Sequence, residues 1–206
     1  MYYFLGDAVQ LRDSISRVLG AWETSMPGYF HVCGMFAFGA AENMQLNLAE
    51  EQAMRVLSED MRDAWSLHAL AHVYEMQGRR YEGQRLLRTS RWWWDEATLL
   101  QNHLHWHWAL FQMEDGHFEK SAFRYDAWIR EGGPGDALLV GDAANLLWRM
   151  ELMGNHVYDR WEELLPHVRK LAKTRSWAYL DVLYAMTFAA ADDSKSLDTL
   201  LDDMRA

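Results

Sequence analysis

Apolar and aromatic side chains recur at steps of three and four residues through most of this chain. The long apolar stretches never settle into the two-residue alternation of a half-buried strand. Short turn signals interrupt the helical pattern at Gly6, Asn43, Gly78, Gly116, Gly154 and Asp192-Asp193. They fall 35 to 38 residues apart, slightly wider than the ~34 of a standard tetratricopeptide repeat. Before each turn lies an apolar-aromatic helix and after it a more polar one. The pattern predicts first helices near 28–42, 63–77, 97–114, 136–153 and 177–190, and second helices near 7–20, 46–58, 80–89, 118–129, 158–173 and 194–205.

The expected fold is therefore all-α, a tetratricopeptide-like α-solenoid of about five helix pairs, with residues 1–206 as a single domain. Only Pro27, Pro134 and Pro166 break the helical background. Connections between pairs are marked by Met26-Pro27-Gly28, by Glu59-Asp60 and by Glu131-Gly132-Gly133-Pro134-Gly135-Asp136, the last a flexible loop. Asp63 and Asp136 stand where an N-cap accepts from an orphan amide. First helices should form the inner, concave layer, burying Ala64, Leu67, Ala71, Leu110 and Leu147 and leaving Glu50, Glu119 and Glu162 in water. Tyr2, Tyr3 and Phe4 are too apolar to face solvent together, so the N-terminal edge should be covered by a folded-back segment or by a second copy in a homodimer.

Composition narrows the function classes. Half of the 206 residues are hydrophobic and 14% aromatic, which supplies a core and argues against disorder. A formal net charge of -10 repels phosphate, so nucleic acid and anionic lipid are not expected partners. No 18-residue apolar run suggests a membrane span. The first residues lack the basic and apolar regions of a signal peptide, and the single cysteine, Cys33, suits a reducing compartment, so a cytoplasmic protein is expected. Phosphate loops, nucleophile elbows, Cys-x-x-Cys pairs and dinucleotide fingerprints are all missing from the sequence.

Histidine carries the candidate chemistry. His68 and His72 lie four apart on one helical face, and His103 and His107 repeat the arrangement one repeat later. Two such pairs can ligate one transition metal, Zn, Fe or Mn, with Glu75 at i+3 from His72 as a further ligand or an outer acceptor. Counting back from the turns puts His31 and Asp142 at heights similar to His68 and His103, toward opposite ends of the same groove. His31, Glu75 and Asp142 are thus the candidate catalytic acids and bases. The competing interpretation is that the imidazoles pack beside Trp65, Trp106 and Trp108 and are satisfied by nearby carbonyls or carboxylates.

His105 should point away from the 103/107 face. Cys33 reads as a small core side chain, and Arg149 with Glu151 reads as an ion pair or a carboxylate clamp. Trp92-Trp93-Trp94 cannot all enter one core. Two functions fit these residues. One is a small-molecule enzyme or binding protein with a histidine-lined groove, metal-dependent or acid-base. The other is a tetratricopeptide module gripping a peptide or partner protein.

Three blocks, Phe30-His31-Val32-Cys33-Gly34-Met35-Phe36-Ala37-Phe38-Gly39, Asp63 to Gly78, and His103-Leu104-His105-Trp106-His107-Trp108-Ala109-Leu110, resemble the tetratricopeptide-repeat protein 38 family, also called StaR-like. Leu147-Trp148-Arg149-Met150-Glu151-Leu152 and Arg160-Trp161-Glu162-Glu163-Leu164-Leu165 extend the resemblance toward the end of the chain. The likeness is to the later portion of that family, without its N-terminal helical section. It implies the repeat fold and carries no settled activity. Where the family usually shows Asn-Asp-x-His in its last repeat, this chain has Leu180-Asp181-Val182-Leu183. His105 also stands where the family has an aromatic between its paired histidines.

Overall fold

A backbone that must reverse within two residues needs one residue in the left-handed region, and the chain places one at each turn. Gly6, Met44, Gly78, Gly116, Gly154 and Asp192 all have φ between 55° and 82°. The same two bonds close every one of these turns. At Gly78 its N–H donates to the Glu75 carbonyl at 3.0 Å, and the Arg79 N–H to the Tyr74 carbonyl at 2.7 Å. These are the paired bonds of a Schellman cap, which satisfies carbonyls left over at a helix end. The periodic signal in the sequence is thus a periodic helix stop. One turn is shifted from expectation: Asn43 keeps right-handed geometry as the C-cap, and the left-handed residue is Met44.

The computed structural model describes residues 2–96, 100–130, 136–174 and 177–205. Among the described residues there are eleven α-helices and no strand. They are α1 (Ala8–Leu19), α2 (Tyr29–Glu42), α3 (Leu46–Glu59), α4 (Ala64–Met76), α5 (Arg80–Trp94), α6 (Gln101–Glu114), α7 (Phe118–Arg124), α8 (Ala137–Leu152), α9 (Tyr158–Leu171), α10 (Ala178–Ala190) and α11 (Ser194–Arg205). A 3₁₀ turn at Tyr2–Leu5 precedes α1, and a π-helical turn at Tyr125–Ile129 continues α7. Helix α5 runs past the expected end at residue 89 to Trp94. Residues 97–99, expected to open the next helix, and 131–135, expected as a loop, lie outside the described residues.

The chain divides into two compact units, Met1–Leu104 and His105–Ala206. In the first, α2 packs on α1, α3 and α4, and α4 also packs on α3 and α5. Glycine decides how closely α2 approaches its neighbours. A Cβ on Gly39 would lie 2.8 Å from the Arg12 Cα, and one on Gly34 would overlap Asp63 Oδ1. The small residues Ala37, Ala40 and Ala41 are buried on the same helix. Three contacts then set α2 and α4 side by side in parallel: Gly34 against Asp63, Phe38 stacked on His68 at 4.7 Å, and Glu42 against His72 at 2.9 Å. Tyr3 packs on Phe38 at 5.9 Å, although Tyr2 and Tyr3 each remain more than a third exposed.

The second unit has its own core, in which Leu147, Trp161, Tyr184 and Phe188 are buried together. There α8 packs on α9 and α10, and α10 also packs on α9 and α11. A buried cation braces its first helix: Arg124 Cζ lies 3.3 Å from the Trp108 ring centroid, Nε donates to Gln112 at 2.8 Å, and Nη1 meets His105 Nδ1 at 3.0 Å. Leu67, Ala71, Leu110 and Leu147 are buried and Glu119 and Glu162 exposed, as the periodicity predicts. Ala64 and Glu50 are only half-buried. The first opens its helix, and the second is drawn inward by Arg79 at 2.8 Å.

Candidate metal centre

Helix α4 begins where Asp63 Oδ1 accepts the Ser66 N–H at 2.7 Å, an N-cap that fixes the helix start and hence its facing. His68 and His72 then project one turn apart from the same stripe. On α6, His103 and His107 are likewise one turn apart. One ring nitrogen from each of these four histidines can be chosen so that all lie within 4.8 Å of one another. The ring centroids of His68 and His103 are 4.8 Å apart, and those of His72 and His103 6.5 Å. His68 and His107 are buried, while His72 and His103 are half-buried, so the group is reached from the His72 and His103 side.

The bonds around His72 fix its proton. Its Nδ1 lies 2.9 Å from Glu42 Oε1, and its Nε2 lies 2.8 Å from His68 Nε2. A carboxylate only accepts, so Nδ1 carries a hydrogen, and in the neutral ring His72 Nε2 presents its lone pair. His68 Nε2 is then the donor in the short bond between the rings. Metal–imidazole bonds are about 2.0–2.1 Å, which sets neighbouring ligand nitrogens about 3.4 Å apart around a tetrahedral ion. The 2.8 Å pair would open slightly and the wider members close in, movements within the reach of side-chain torsions. The four histidines can therefore hold a metal ion.

The other candidates stand elsewhere. On α2, the exposed His31 sets Nδ1 3.2 Å from Asp63 Oδ2 and faces Trp65, so its partner is the cap of α4. Burial pushes the Asp63 carboxyl above the usual carboxylate range, against the hydrogen bonds from Ser66 and the nearby His31 that pull it down. Glu75 lies half-buried just beyond His72 and is not one of the four residues that share a centre. Asp142 is a half-buried residue of α8 in the second unit, where burial and its charge raise the Tyr179 phenol.

Arg149 and Glu151 do not pair with each other. Arg149 donates to Asn145 at 2.9 Å, and Glu151 accepts the Val157 N–H at 3.0 Å, because residues two apart leave a helix in different directions. Cys33 is buried. Of the three tryptophans, Trp94 is buried with its N–H on the Leu87 carbonyl at 3.1 Å, while Trp92 and Trp93 are exposed.

Glu42 was not foreseen. It closes α2 immediately before the turn, and only the parallel register of α2 and α4 brings it to His72. Its one visible mark in the sequence is an acidic residue at a helix C-terminus, where the helix dipole disfavours one.

Helices of the described residues are all too short or too polar to cross a membrane. No family model matches the chain, and no solved structure matches it. The histidine group therefore carries the functional argument.

Proposed function

We propose that this chain is a metal-dependent small-molecule enzyme or binding protein, with His68, His72, His103 and His107 as the ligands of one first-row transition metal. The observation that carries the reading is the gathering of four imidazole nitrogens within 4.8 Å of one another. A hydrogen bond between the rings accounts for the approach of His68 to His72, whereas a shared ion accounts for the convergence of all four. An all-nitrogen donor set suits Zn or Fe better than Mn, which prefers carboxylate oxygen. Four ligands saturate a tetrahedral ion, so substrate would enter where His72 or His103, the more accessible pair, gives way. Glu75, one turn from His72, is the nearest acid in sequence available for proton transfer.

The scaffold belongs to the same proposal. Each unit is a stack of tetratricopeptide-like helix pairs, of the type found in the tetratricopeptide-repeat protein 38 family. The recurrent Schellman turns and the parallel packing of first helix on first helix in α2 and α4 support this. Metal analysis on protein purified without a histidine tag, with cobalt(II) titration of the chelated protein, tests the function. The expected result is one equivalent of metal and a tetrahedral cobalt spectrum, both lost in His68→Ala and His107→Ala variants that keep their helical circular dichroism. Failure of the wild type to retain or bind a divalent metal overturns the proposal. The peptide-binding reading would then take its place.

A further inference from the structure

The proposed donor set is uncharged, and a divalent ion among four neutral imidazoles would leave two positive charges in a partly buried site. Glu42 is a carboxylate at its edge. His72 is the one hydrogen-bond or ion-pair partner of Glu42 among the described residues, with Oε1 2.9 Å from Nδ1. Both side chains are about one-fifth exposed, 19% for His72 and 22% for Glu42, so the bond is substantially shielded from water. The acid also sits on the last residue of α2, the helix end whose dipole repels negative charge. A glutamate there gains nothing from its own helix and is placed to serve its neighbour.

Its placement is not a matter of side-chain reach alone. The overlap that a Cβ at Gly34 would make with Asp63, and the stacking of Phe38 on His68, hold α2 and α4 in register one and two turns before Glu42 meets His72. A carboxylate on the outer nitrogen of a ligand histidine does three things. It fixes the tautomer, so that Nε2 is the free donor. It orients the ring, and it makes that nitrogen a stronger base.

We propose that Glu42 is the outer carboxylate of a four-histidine centre for a divalent late first-row cation, holding His72 as the Nδ1–H tautomer so that Nε2 faces the metal. This rests on the metal reading above. The role is one of positioning and charge compensation, and Glu42 does not itself ligate.

Zinc and cobalt(II) affinities of wild type, Glu42→Gln and Glu42→Ala test it, with the His72 tautomer read by long-range proton–nitrogen correlation in metal-free protein. Loss of an outer partner of a metal-bound histidine typically weakens binding about 10- to 100-fold, and that loss is expected for E42A. E42Q keeps an oxygen that accepts the Nδ1–H but loses the charge. It should retain the tautomer and the cobalt spectrum and bind with intermediate affinity. A wild-type His72 protonated on Nε2 overturns the inference, and this readout requires neither metal nor a folded variant. So does an E42A variant that binds as tightly as a metal-binding wild type, which leaves the four-histidine reading intact. A wild type that binds no divalent metal overturns both readings, and tautomer data alone cannot rescue this one.

Discussion

Gly34→Ala adds a single methyl group where α2 meets the start of α4. That methyl would overlap Asp63 Oδ1 and lie 2.9 Å from Ser66 Oγ and 3.1 Å from Asp63 Cγ. Asp63 cannot simply swing away, because Oδ1 caps α4 through the Ser66 N–H and Oδ2 meets His31. Breaking the cap costs about 1 kcal/mol, and forcing the two helices apart costs about 1–3 kcal/mol. Against this, alanine is a better helix former than glycine by about 1 kcal/mol. The balance is a destabilisation of about 2 kcal/mol, read as a lower urea midpoint at unchanged slope. In an Asp63→Ala background most of the G34A penalty should vanish, because the crowding oxygen has gone and the cap is already lost. The same variant should weaken metal binding, since the contact sets the register that brings α2 to His68 and His72. An unchanged or raised midpoint for G34A, or an equal loss in the Asp63→Ala background, would refute the close-approach argument.

Met44 is exposed and held at φ 59°, a conformation that costs a non-glycine residue about 1–2 kcal/mol. Met44→Gly should therefore stabilise the protein by about 1 kcal/mol in denaturant unfolding. The reverse change at the equivalent turn, Gly78→Ala, meets nothing within 4 Å and should cost a similar amount through backbone strain alone. Trp94→Ala empties a fully buried site and should cost about 3–5 kcal/mol. Trp92→Ala, at a position 85% exposed, should stay within about 0.5 kcal/mol of wild type. Equal losses for the two tryptophans would contradict the placement of α5.

Much of the helical framework was legible before any coordinates. Gly6, Gly78, Gly116 and Gly154 announce the turns because a Schellman cap needs a left-handed residue and glycine takes that conformation without strain. The pairs His68/His72 and His103/His107 are legible for a similarly local reason: an α-helix puts residues four apart on one face whatever surrounds them. Met44 escaped notice because a non-glycine residue in the left-handed region carries no mark in the sequence. Trp92 and Trp94 look alike as letters, and the facing of α5 separates the exposed indole from the buried one.

The site itself divides along the same line. Spacing along the chain made each histidine pair a candidate and could go no further, since a second pair, an acid or an arginine becomes a neighbour only through packing. Glu42 reaches His72, and Arg124 lies over Trp108 beside His105, because helices settle against one another at a register chosen by steric fit, as at Gly34 and Asp63. Backbone dihedrals and face periodicity are local properties, readable residue by residue. The distance between residues thirty positions apart is decided by which side chains can interlock.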